Sequence, residues 1–278
     1  MIFAKRTLPG LLGLALPIAA HAQDPATSGG YSMDIELVRP QFSAGDGFGI
    51  DSTELGGKNY WRVGTLIQYE NGPLRLVEFD SIQGKVVAHR HTLQLGMSYS
   101  PSKRLSLRIN MPFAVQWGSN VEQYTADGFG VGDLSAGLRV KVGQWKFFGF
   151  GLYGDVLLPT GTTENYMGEA RPRTDFGLLA SLGDNGFVFN SNLGIHVRQL
   201  VETERDFDLG NELVFDNGIT YTFPGYVGEK FSVSGGILLR LGFNEFLSGG
   251  GENAMEWVAG LQYRPKKFVQ VDIGLGKG

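Results

Sequence analysis

The sequence predicts an all-β fold, an antiparallel up-and-down transmembrane β-barrel of about twelve strands. Three observations predict it. Apolar and polar residues alternate over most of the chain. The connections between the alternating runs are short and long in turn. The chain opens with the layout of an export signal.

That opening comes first. Lys5 and Arg6 precede the short apolar run "TLPGLLGLALPIAA", and Ala20-His21-Ala22 has the small-x-small form of a cleavage site. Residues 1–22 are therefore read as a signal peptide, with the mature chain starting at Gln23. No later stretch approaches ~20 continuous apolar residues, so no helix is expected to span a bilayer. The expected location is the bacterial outer membrane, reached after export. Residues 23–57 are rich in Gly, Ser and Asp, with one brief alternation at Met33, Ile35 and Leu37. They are expected to form an amino-terminal segment, either an extra strand or a plug tucked into the barrel. The barrel itself is assigned to 58–278.

Strands are expected at 60–70, 86–100, 103–117, 129–142, 145–159, 173–183, 187–200, 211–223, 230–243, 253–264 and 267–277, with a hairpin extension at 73–79. The two-residue side-chain period writes out their faces. Leu93, Leu95, Met97 and Tyr99 share one face, and Thr92, Gln94, Gly96 and Ser98 the other. After "SPSKR" the pattern restarts with Leu105, Leu107, Ile109, Met111, Phe113 and Val115 opposite Ser106, Arg108, Asn110, Pro112, Ala114 and Gln116. A soluble sandwich would turn the apolar face inward; a membrane barrel turns it to lipid.

The connections decide between them. "SPSK", "GQ", "GDNG", "PGYVGE" and "RPKK" are short, and longer polar segments fall between them at about 71–85, 117–128, 160–172, 200–210 and 244–252. Tight periplasmic turns alternating with larger external loops are the pattern of bacterial outer-membrane barrels. Tyr99, Trp145, Phe231 and Tyr263 fall near the short turns, and Tyr69 and Trp117 near the long loops, where two interfacial aromatic girdles belong. An even strand number is expected, yet the strands assigned leave one unpaired. Either the stretch near Met33–Val38 supplies it, or the chain is the front part of a longer product that carries the last strand.

Composition agrees. Gly makes up 42 of 278 residues, about twice its usual share of roughly 7%. Such a surplus suits twisted, crowded strands. The formal net charge of −4 gives no electrostatic footprint for nucleic acid, and with no Cys there are no disulfides, thiolate metal sites or cysteine nucleophiles.

Candidate chemistry is sparse. His89 and His91 share a face at i, i+2 and could ligate a metal with a carboxylate, but solvated histidines at a strand end account for them as well. His196 with Ser191 or Asn192 is the nearest approach to a hydrolase constellation, though the polar lumen face already explains these residues. "DGFGVGDL" lacks the Lys and the following helix of a phosphate loop. No enzymatic activity, metal or cofactor is expected. The stronger lead is the inward charges, because Arg or Lys facing lipid at midplane costs roughly 2–4 kcal/mol. Arg62, Arg108, Asp133, Arg139, Lys141, Asp155, Asp175, His196, Arg198, Asp216, Arg240, Glu256 and Asp272 are assigned to the lumen. They either line a narrow aqueous passage or pair across a packed interior.

Several segments carry a family likeness: "VRPQFSAGDGFGIDS", "YENGPLRL", "GVGDLSAGLRVKV", "YGDVLLPTGT", "RPRTDFGLLAS" and "FVFNSNLGIHVR". In that order they resemble the amino-terminal transmembrane barrel of modular OmpA-family, porin-like outer-membrane proteins. The resemblance covers most of the mature chain. It implies a barrel followed by another strand and often a peptidoglycan-binding domain, and it favours the longer gene product. It supplies no functional residues. The expected function is passive passage of small solutes across the outer membrane. The alternative is a non-conducting structural barrel that anchors a further domain or partner. Expected partners are outer-membrane lipid and lipopolysaccharide, the barrel-assembly machinery during insertion, and a periplasmic or envelope protein.

Overall fold

The computed structural model describes residues 34–35, 38–40, 42, 47–78, 81–118, 126–184, 186–200, 210–225, 230–243 and 253–277. The expected signal peptide, Met33 and Leu37 lie outside the described residues. Twelve strands follow in order: β1 (Tyr60–Glu78), β2 (Ser81–Ser102), β3 (Leu105–Trp117), β4 (Gly128–Val131), β5 (Leu134–Gln144) and β6 (Phe148–Leu158) come first. β7 (Arg173–Asp184), β8 (Phe187–Val197), β9 (Glu212–Thr222), β10 (Phe231–Gly242), β11 (Ala254–Lys266) and β12 (Val269–Lys277) complete the set.

Eleven of these strands close a barrel, and β4 stands outside the ring, paired only with β3. Neighbours pair antiparallel around the ring with one exception. β12 meets β1 in parallel, from Val63 opposite Val269 to Glu70 opposite Gly276. The expectations of about twelve strands in the ring and of an antiparallel pattern throughout are corrected here. The cause is arithmetic: strands that alternate direction around a ring of odd number must meet in the same direction at the closing seam. The described residues of the amino-terminal segment add no strand to the wall; they form one isolated bridge, Gly47 to Ile50.

Two boundaries also differ from expectation. The run assigned to 129–142 is broken at Gly132-Asp133 into β4 and β5. Opposite the break lies Pro112, which has no N–H to donate to a ladder. The Gly132 N–H donates to the Pro112 carbonyl at 2.8 Å, and a Cβ at Gly132 would lie 2.3 Å from the Pro112 ring. The chain thus breaks where Pro112 can accept but not donate a ladder bond and where a side chain in place of Gly132 would meet its ring. At the first connection, β1 and β2 run on through most of the segment expected as a long loop, with register shifts from Asn71 onward. That connection is two residues, 79–80.

Burial is inverted relative to a water-soluble core. Leu95, Leu107, Ile109, Phe189, Ile219, Ile237 and Ile273 are exposed on the outer face, Ile273 to 59%. Arg90, Arg139 and Arg173 are among the largest fully buried side chains. A continuous apolar exterior on this scale exceeds the patches that monomers show to water. Aromatic pairs ring the short-turn end: Trp61 on Tyr99, Trp145 on Phe148, Phe187 on Tyr221 and Phe231 on Tyr263, with centroids 4.2 to 5.7 Å apart. At the other end Tyr69 and Trp117 pack around His89 and His91.

Candidate functional site

The lumen is the site, and the described residues between Asp34 and Leu55 occupy it. Val38, Phe42, Phe48, Ile50 and Leu55 of this segment are buried, although none lies in a helix or strand. The wall makes room by omitting side chains. Gly64 of β1 and Gly96 of β2 are register partners, and a Cβ on either would lie 2.2 or 2.3 Å from the Phe42 ring. Gly218 and Gly236 are partners across β9 and β10 and receive Ile50. Gly260 and Gly274, partners across β11 and β12, receive Phe48. A fourth pair, Gly177 and Gly194, accepts Tyr153 from the wall itself. Each pair of facing glycines is a socket two residues wide. Phe42 enters its socket with φ 52°, a costly conformation for a bulky residue. Val38 and Phe48 also pack on Leu66, Leu238 and Val258, so one side of the filled lumen is apolar.

The other side is ionic. Asp51 lies 2.5 Å from the Arg139 guanidinium and 3.6 Å from that of Arg108. Asp155 accepts two bonds from Arg108, at 2.8 and 2.6 Å, and two from Arg139, at 3.3 and 3.0 Å. Arg39 bridges Asp34 at 3.0 Å and Asp175 at 3.3 Å, while Asp175 also binds His196 Nδ1. Nearer the long loops, Arg173 gathers Asp34 and Asp133, both at 2.7 Å, and Glu169 at 3.0 Å. Arg198 joins Glu169 at 2.7 Å and Glu212 at 2.6 Å. Buried charges of this kind hold only as complete sets, because removing one partner strands the other. The segment supplies Asp34, Arg39 and Asp51 to sets that the wall alone would leave incomplete.

All thirteen charged residues assigned to the lumen have buried or half-buried side chains. Besides the sets above, Arg240 pairs with Asp216, and Lys141 reaches Glu54 at 3.5 Å near the short turns. Arg62 donates to Gln270 at 2.8 Å, which in turn donates to Asp272 at 2.7 Å. Glu256 sits over Gly276. The structure thus brings most of them together as partners. Of the interfacial aromatics, Trp117, Trp145, Phe231 and Tyr263 are exposed, and Tyr69 and Tyr99 are half-buried in ring stacks.

Sequence reasoning missed the three charges of the segment, Glu70, Arg90, Arg173 and Glu212 on the wall, and Glu169 between strands. Arg173 is two residues from Asp175 and Glu212 four from Asp216, so strand period would have placed both inward. Glu169 lies in a loop and had no such signal. Of the candidate chemistry, the Tyr69 hydroxyl meets His89 Nδ1 at 2.7 Å within the outer aromatic cluster. Among the described residues no three His, Asp or Glu side chains group as metal ligands.

Two spaces border the segment. A cavity of about 40 Å³ lies among Arg39, Asp51, Tyr153, Asp155, Asp216 and Arg240, room for a few water molecules. A second space of about 300 Å³ opens at the short-turn end, lined by Ser52, Thr53, Ser181, Thr220 and Thr222 with Lys146 and Arg264. No protein-family model matches the chain, and no curated protein matches it.

Proposed function

We propose that this chain is an outer-membrane barrel that passes small solutes when residues 34–55 leave the lumen, a porin-like passage closed by its own amino-terminal segment. One observation carries the reading. The hydrogen-bonded ring from β1 to β12 is complete without the segment, which meets the wall through sockets, ion pairs and side-chain hydrogen bonds rather than as a strand. A wall that does not need its filling can stand open once the filling moves. The apolar exterior and the aromatic rings at both ends support placement in a bilayer. The export-like opening supports the outer membrane, with lipid, lipopolysaccharide and the barrel-assembly machinery as partners. No enzymatic step is assigned.

The cavity of about 40 Å³ favours a second reading, a non-conducting barrel that anchors a partner or further domain in the envelope. Planar-bilayer conductance separates the two. The intact protein is expected to be electrically silent, and a chain lacking 23–57 to give discrete steps. If that shortened chain folds, by heat-modifiable gel mobility, and stays silent, the passage reading is lost and the structural one stands.

A further inference from the structure

Charge is sorted between the two ends of the barrel. The connections at the short-turn end, 103–104, 145–147, 185–186, 223–230 and 267–268, carry Lys103, Arg104, Lys146, Lys230 and Lys267 against Glu229 alone. Lys58 precedes β1 and Lys266 ends β11 at the same rim. Exposed acids of the strands at this rim reduce to Asp184, since Glu54 of the luminal segment faces Lys141. At the opposite end, the segments 79–80, 118–127, 159–172, 198–211 and 243–253 contain no lysine; against Arg171, Arg198 and Arg205 their acids include Glu122, Asp127, Glu164, Glu202, Asp206 and Glu245. Arginine is used differently, mostly inside the lumen, where its fork satisfies several acceptors at once.

The basic rim coincides with the aromatic ring. The Lys146 ammonium lies 4.6 Å from the Phe147 centroid, and that of Lys266 lies 5.7 Å from the Phe268 centroid. Trp145, Phe147 and Phe268 are all exposed beside them. An aromatic body in the acyl–headgroup boundary holds the adjacent ammonium at phosphate level, where long basic side chains reach outward. Ammonium groups spaced around a circular rim match lipid phosphates better than one bound ion.

We propose that the short-turn rim is a collar for the headgroups of anionic glycerophospholipids, which it concentrates around the barrel in one leaflet; the proposal rests on the membrane reading above. The lysines make point-charge contacts with phosphodiesters, and the girdle aromatics pack on the glycerol and upper acyl chains. The opposite end, whose loops have no lysine and whose strands bring Lys85 and Lys277 near it, carries no such collar, so the barrel distinguishes the two leaflets by headgroup charge.

The test uses the full chain reconstituted in phosphatidylcholine vesicles with spin-labelled phosphatidylglycerol or spin-labelled phosphatidylcholine as the probe. Motionally restricted label at the barrel is expected to favour phosphatidylglycerol about fivefold, the factor that roughly 1 kcal/mol for one basic contact corresponds to. The preference should fall towards one in Lys103→Gln/Lys146→Gln/Lys266→Gln/Lys267→Gln and in 1 M salt, and persist in Lys85→Gln near the other end. The paired variants Lys103→Gln/Arg104→Gln and Lys266→Gln/Lys267→Gln should each remove part of it if the fourfold change impairs folding. A barrel that incorporates but shows equal affinities, or keeps its preference without the lysines, overturns the collar and leaves the membrane reading intact. A protein that incorporates into no vesicle overturns both.

Discussion

The Asp51 carboxylate and the Arg139 guanidinium meet at 2.5 Å, joining the luminal segment to the barrel wall. Both are almost completely buried, and Asp155 is the other carboxylate held by Arg139. Asp51→Asn keeps the shape and removes the charge, leaving Arg108 and Arg139 to share Asp155. Stranding a buried charge in this way costs about 3–5 kcal/mol. The expected result is a lower urea midpoint for the detergent-folded protein and new chymotryptic cleavage after Phe42 or Phe48. Unchanged protection of those two bonds would show that the pair does not hold the segment in place.

The Phe42 socket makes a sharper test, because its two sides can be altered together. Phe42→Ala should cost about 3–5 kcal/mol as a large-to-small change at a buried site. Gly64→Ala should also destabilise, since its Cβ would lie 2.2 Å from the Phe42 ring. In the Phe42→Ala background the same alanine meets no ring and should be nearly neutral. The double-mutant cycle by urea unfolding is therefore expected to be strongly non-additive. Equal costs of Gly64→Ala in both backgrounds would disprove the socket.

Depth dependence tests the outer face. Leu95 is 45% exposed in mid-strand, in register with Thr65 and Met111, whereas Leu182 lies two residues from the end of β7. In a bilayer, Leu95→Arg should cost about 2–4 kcal/mol and Leu182→Arg about 0–1 kcal/mol. Folding yield in phospholipid vesicles reads the difference. Equal effects, or a wild-type protein that stays dispersed in buffer without detergent, would place that face in water.

Strand positions were legible because a period of two repeats along nearly every run: Arg108 between Leu107 and Ile109 already implies an inward guanidinium. The break at Gly132-Asp133 also left a mark, a Pro in the neighbouring run and a Gly-Asp pair, but its meaning depends on which residues face each other. Ring size was not legible. It depends on how β12 meets β1, a contact between residues some two hundred positions apart that no local pattern encodes. Nor were Asp34, Arg39 and Asp51 legible as lumen residues. The segment that carries them follows the shape of the cavity rather than a helical or strand period, and the facing glycines that receive it are visible only once register is known.

The parallel seam offers the last test, and the chain is suited to it because it has no cysteine of its own. Ile67 of β1 and Ile273 of β12 are register partners, both exposed on the outer face at 48% and 59%. Neighbouring strands lie about 4.8 Å apart, within the Cα separation a disulfide spans. Ile67→Cys/Ile273→Cys should therefore oxidise to an intrachain crosslink in the folded protein, detectable by gel mobility before and after reduction. Val269 lies four residues from Ile273 along β12, about 13 Å at strand rise, so Ile67→Cys/Val269→Cys should not crosslink. In an antiparallel seam with Ile67 opposite Ile273, Val63 would face Lys277 instead of Val269, so Val63→Cys/Val269→Cys distinguishes direction. Crosslinking of both Val63/Val269 and Ile67/Ile273 requires two strands running the same way. Failure of the Val63/Val269 pair while Ile67/Ile273 closes would reverse β12 and with it the odd-numbered ring.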